Sequence, residues 1–123
     1  MDRIFFALGG ISGFLAVAAG AFGAHALRAR LDPAMLDVWK TGAHYQLVHA
    51  LALLAVAWAA QRFPAGTWVA AGWCFTAGSV LFAGSLYGLS ALGWRFLGPI
   101  TPLGGLLLLA GWILLALSAL KAP

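Results

Sequence analysis

Charge is what this sequence has least of. Only 8% of its 123 residues are charged, against roughly a quarter in a soluble globular domain. The acidic residues are Asp2, Asp32 and Asp37, and none lies within an apolar run. With no carboxylate to orient a histidine, a Ser–His–acid hydrolase is excluded. Proton-coupled cation exchange through a membrane-embedded carboxylate, as in small four-helix multidrug exchangers, is excluded for the same reason. A proton-coupled transporter built from this chain would have to titrate His25 or His49. The seven lysines and arginines are scattered singly over the connections, so the basic balance marks no nucleic-acid patch. The lone cysteine, Cys74, sits in an apolar run, which leaves neither a disulfide framework nor a cysteine metal site within one chain. No catalytic set remains, so no enzymatic activity and no cofactor are expected.

What the chain has instead is apolar length. It is 63% hydrophobic, and four runs stand out, at about residues 4–27, 42–61, 67–92 and 101–120. Each is near or above the ~20 residues that cross a ~30 Å hydrocarbon core. The first follows Arg3 and contains Ala24-His25-Ala26, which imitates a cleaved secretory signal. It is longer than a signal core and is expected as a retained helix. The sequence therefore predicts an all-α, integral membrane four-helix bundle, up-down-up-down, forming one transmembrane domain over residues 1–123. Asp32-Pro33 reads as a helix start, with Asp32 as cap and Pro33 in the first turn. It would open a short interfacial helix over residues 33–41 carrying Met35, Leu36, Val38 and Trp39. Residues 61–66 read as a tight turn, and Arg95 stands between Trp94 and Phe96, an interfacial arrangement.

Small residues mark where helices approach closely in lipid. Gly9, Gly13, Ala16, Gly20 and Gly23 fall within an arc of roughly 80° on the first span. The third span has two such faces, one with Gly72, Thr76, Ser79 and Ala83, the other with Ala77, Gly84 and Gly88. It is expected to wedge between two neighbours. In the fourth span Gly104, Gly111 and Ser118 recur every seven residues.

Alternating spans put the end of the first, the start of the second, the end of the third and the start of the fourth at one membrane face. Most polar side chains lie there: His25, Tyr45, Gln46, His49, Ser85, Tyr87 and Thr101. The opposite half reads as Gly, Ala, Leu, Val and Trp. Tyr45 and His49 are four apart and Gln46 and His49 three apart, so these side chains are expected to meet on one helix face. An unpartnered amide or imidazole within a membrane costs several kcal/mol, so partners are expected. One reading is an interhelical network with Ser85, Tyr87 or Thr101. The other is a site for a ligand, a proton or a metal. His25 lies roughly opposite the glycine seam and is expected to face headgroups, the polar connection or a neighbouring subunit. That weakens a haem clamp between His25 and His49, and no metal site is expected beyond those two as outside candidates.

Several strings carry a resemblance. They are Gly20-Ala21-Phe22-Gly23-Ala24-His25-Ala26-Leu27, Thr41-Gly42 with Tyr45-Gln46, and His49-Ala50-Leu51-Ala52-Leu53-Leu54. Gly78-Ser79-Val80-Leu81-Phe82-Ala83-Gly84-Ser85-Leu86-Tyr87, Ile100-Thr101-Pro102-Leu103-Gly104-Gly105 and Gly111-Trp112 complete the set. Together they resemble the small membrane proteins of domain of unknown function 423, whose animal relatives are called transmembrane protein 256. The resemblance implies a four-helix integral membrane protein with His25, Tyr45, Gln46, His49, Ser85, Tyr87, Thr101 and Pro102 at characteristic positions; His44 is outside that pattern. It also implies cytoplasmic termini, where basic residues alone, three against four, do not decide orientation. With the bacterial look of the composition, the inner membrane is the expected location.

Two roles follow from the residues. The leading one is a structural or accessory subunit, associating with itself or with a larger membrane complex, its partners being the bilayer and a membrane protein or a second copy. The alternative is binding or transport of a quinone, lipid headgroup or ion at Tyr45, Gln46 and His49. A histidine-ligated metal or haem protein is a weaker third.

Overall fold

The computed structural model describes residues 1–63 and 66–121. Pro64 and Ala65, in the turn expected over 61–66, lie outside the described residues. Four helices make up the fold: α1 Asp2–His25, α2 Pro33–Arg62, α3 Trp68–Leu92 and α4 Ile100–Lys121, with single 3-10 turns at Leu27–Ala29 and Arg95–Leu97. All four are long and apolar enough to cross a membrane.

The local signals act as the residues dictate. The Asp32 carboxylate accepts the Met35 N–H at 2.9 Å, with Pro33 in the first turn. One expectation is corrected: residues 33–41 are not a separate interfacial helix but the opening turns of an unbroken α2. No Pro or left-handed Gly interrupts the chain there, and Gly42 stays helical against Tyr87. At 1.5 Å per residue α2 is about 45 Å long, well beyond a ~30 Å core, so it has length to spare for first turns that carry Asp37 and Lys40. Asp32→Ala should cost about 1 kcal/mol in that first turn. The measurement is amide exchange, faster at Met35 and Leu36 and unchanged near Val56. Gly93 closes α3 in the left-handed region at φ +69°, where a Cβ would be strained.

Neighbouring helices pack antiparallel in chain order, α1 on α2, α2 on α3 and α3 on α4. Among the described residues α1 and α4 make no comparable contact. α2 and α3 are therefore the central pair, and α3 lies between two neighbours, α2 and α4.

Lipid tails are as apolar as leucine, so these contacts rest on close packing rather than on expulsion of water. Large side chains enter glycine notches. The Phe5 ring lies over Gly72, Trp39 over Gly23, Leu54 against Gly9, Tyr87 over Gly42, Leu97 against Gly88 and Phe75 over Gly111. At Gly104 the α4 backbone meets the α3 backbone itself, since a Cβ there would sit 2.4 Å from Phe82 N. Gly13 is looser, with only Ala50 at 3.8 Å. Gly20 and Gly84 depart from the expected packing role: a Cβ at either meets nothing within 4 Å among the described residues, because no helix of this chain covers those positions.

Candidate functional site

The polar side chains of α2 divide: Tyr45 and His49 meet on one face as their spacing predicts, whereas Gln46 departs from that shared face. At 100° per residue His49 falls between the other two, which are about 100° apart. Gln46 turns toward α1 and α3: its Oε1 accepts the Tyr87 hydroxyl at 2.6 Å and its Nε2 donates to Ser12 Oγ at 3.4 Å. His49, 4% exposed, turns toward α4, where its Nε2 accepts the Trp112 indole N–H at 3.0 Å. Its Nδ1 donates to the Tyr45 carbonyl at 2.7 Å. One ring nitrogen donates and the other accepts, so the two bonds select one neutral tautomer. Tyr45 is half-exposed and stacks on His49 with ring centroids 6.2 Å apart.

Of the expected partners, Tyr87 reaches Gln46, whereas Ser85 and Thr101 bond each other across α3 and α4. His25 is exposed at the end of α1 and is not brought near His49. His44 is exposed, with its ring edge-on to that of Tyr45 at a centroid distance of 5.8 Å. Among the described residues no three His, Cys, Asp or Glu side chains gather as metal ligands. Both His49 nitrogens are engaged within the bundle.

Several contributors were not singled out from sequence for hydrogen bonding. Trp39 Nε1 donates to the Ala19 carbonyl at 2.8 Å, tying α2 to α1. Ser12 is the one hydroxyl of α1 between Arg3 and His25, a signal that polarity alone carries. Trp112 gave no signal, since tryptophan is equally at home facing lipid. The far half is also less bare than expected: Gln61 donates to Asp2 at 2.6 Å, and Thr67 bonds Ser118 and, at 3.0 Å, the Leu114 carbonyl. These clasps join α1 to α2 and the start of α3 to the end of α4.

Two grooves flank the central pair. One, of about 730 Å³, lies between α1 and α3 with Gln46 and Leu53 of α2 at its floor. The other, of about 600 Å³, lies between α2 and α4 and is bordered by Tyr45, His49 and Trp112. The first is where polar and apolar lining meet: Ser12, Gln46, Thr76, Ser79 and Tyr87 border it among aliphatic side chains.

Residues 19–105 match the family described as a protein of unknown function, DUF423. The chain belongs to this family. Members similar to it along nearly their whole length include the UPF0382 membrane protein YwdK of Bacillus subtilis, 45% identical over 120 residues, covering 97% of this chain and 98% of the relative. The UPF0382 inner membrane protein YgdD of Escherichia coli K12 is 41% identical over 121 residues, 98% of this chain and 92% of the relative. The UPF0382 membrane protein SERP0230 of Staphylococcus epidermidis is 38% identical over 120 residues, 97% of each. No solved structure matches the chain. With four spanning helices, this DUF423 member is an integral protein of the inner membrane.

Proposed function

We propose that this protein is an accessory subunit, a small bundle that associates with itself or with a larger membrane complex and performs no catalysis of its own. The observation that carries this reading is the bare backbone on α1. Gly10 and Gly20 meet nothing within 4 Å among the described residues, while Gly9 and Gly23 of the same helix are filled by Leu54 and Trp39. Helix contacts in lipid favour small residues because backbones then approach closely, so Gly10 and Gly20 suit a helix from outside this chain. The bonds that Gln46 and His49 make within the bundle count against a ligand held by those two with Tyr45.

The test is subunit counting by single-molecule photobleaching in membrane patches extracted without detergent, together with identification of proteins in the same patches. Wild type should appear as an oligomer or with a stoichiometric partner. Gly10→Leu and Gly20→Leu, whose Cβ would meet nothing within 4 Å among the described residues, should lower that association at least tenfold while leaving helicity unchanged. A wild-type protein that is monomeric and alone in such patches would sink the reading.

A further inference from the structure

The groove between α1 and α3 combines an apolar wall with hydrogen-bonding groups that the bundle leaves unused. Ser79 is 8% exposed, lines this groove, and its hydroxyl has no partner among the described residues. That is unusual within α3, where the Thr76, Ser85 and Ser90 hydroxyls each donate to a carbonyl three or four residues back. Beside it, the Ser12 oxygen accepts from Gln46, which leaves the Ser12 hydroxyl proton unassigned. One Gln46 N–H is likewise left over after its bond to Ser12. All three residues line this one groove; the Ser79 oxygen is itself covered in the bundle, and a buried hydroxyl without a partner carries a desolvation cost that an incoming acceptor relieves once the side chain turns toward it.

We propose that this groove binds a neutral, lipid-soluble molecule bearing a carbonyl oxygen on an apolar frame, of the quinone type. Three features select that chemistry. No charged side chain borders the groove, so an ion or a charged headgroup would enter uncompensated. Depth excludes a lipid headgroup independently: Ser12 is ten residues from the start of α1 and thirteen from its end, and Ser79 is eleven and thirteen from the ends of α3. At 1.5 Å per residue both are about 15–20 Å from either helix end, where an acyl chain has no group to bond them. Volume is the third: about 730 Å³ lies within the roughly 300–1,000 Å³ of small-molecule sites. Trp39 and Tyr87, with ring centroids 4.6 Å apart, bound the groove toward the polar end. Gly84 keeps its wall open, with nothing within 4 Å of where a Cβ would stand. The ring would sit against Ser12, Gln46 and Ser79, with its tail leaving between α1 and α3 into lipid.

The test uses the full-length protein in phosphatidylcholine nanodiscs with decylubiquinone as probe, read by quenching of tryptophan emission and by quinone retained per protein. Saturable binding of one quinone per chain is expected. Ser79→Ala should weaken it about three- to tenfold, the worth of one hydrogen bond, without loss of stability, since that hydroxyl holds nothing in the bundle. Gly84→Leu fills the groove without removing a polar group and should weaken binding more than tenfold. Circular dichroism checks that both variants fold, and if Gly84→Leu does not, Ser79→Ala decides alone. Uptake that rises linearly with quinone, or is the same in Ser79→Ala as in wild type, is partition into the bilayer and overturns the proposal. So does a transmembrane protein that co-purifies with wild type and is displaced by Gly84→Leu while quinone retention is unaffected.

Discussion

Gly104→Ala should cost about 3 kcal/mol, the upper part of the range for overpacking, and loosen α4 from α3. The added Cβ would lie 2.4 Å from the Phe82 nitrogen and 2.8 Å from its Cα. Those are backbone atoms of a regular helix and cannot rotate away as a side-chain tip can. The two helices must therefore separate, weakening in turn the contacts of Phe75 with Gly111 and of Leu108 with Gly78. Gly84→Ala is the control, because nothing lies within 4 Å of its Cβ among the described residues. Alanine's helix propensity, worth up to about 1 kcal/mol over glycine, should leave that variant as stable as wild type or slightly more so. Unfolding by SDS in mixed micelles, followed by circular dichroism, compares the three. Equal stability of the two alanine variants would show that α3 and α4 do not approach as closely as described.

His49→Leu should cost about 2 kcal/mol, because it leaves the Trp112 indole N–H without its acceptor on an apolar, lipid-facing surface and removes a ring lying 5.6 Å from Phe75 and 5.8 Å from Trp112. Trp112→Phe should be destabilising too, orphaning the imidazole Nε2 instead. The informative quantity is the double variant, which removes both partners together. Its cost should fall short of the sum of the singles by about 1 kcal/mol, within the roughly 0.6 to 1.7 kcal/mol found for hydrogen bonds between membrane helices. Strict additivity in the same SDS titration would mean that the two side chains do not act on each other.

The sequence made the spans legible because each is a long apolar run ended by recognisable chemistry. Asp32-Pro33 opens α2, and Gly93 stops α3 within a residue of the expected boundary. The length of α2 was harder to read. Residues 33–41 are helical by propensity and capping but too polar to count as membrane, so hydropathy divides what hydrogen bonding joins. The polar cluster was visible in its membership on α2 and in one of its partners, Tyr87, but not in Ser12 or Trp112. Which way Gln46 and His49 face depends on how α1 and α4 are rotated, and α4 is apolar on all sides, leaving no amphipathic stripe to fix that rotation. Ser79 was legible only as a small packing residue. That its hydroxyl lacks the bond its neighbours make appears only once the helices are assembled.

Among the described residues the first and last helices make no contact comparable to those between neighbours, which bears on how this protein is built. Each helix packs mainly on the one made just before it, with Phe5 of α1 also reaching Gly72 of α3, so packing can proceed in step with insertion: α1 with α2 as a hairpin, α3 against that hairpin, and α4 last. No early segment must wait for a late one, and contacts stay close in chain order, the topology that folds fastest. A polypeptide halted after Gly93 should already hold its first three helices in place, with Phe5 seated over Gly72 and the Gln46–Tyr87 bond made.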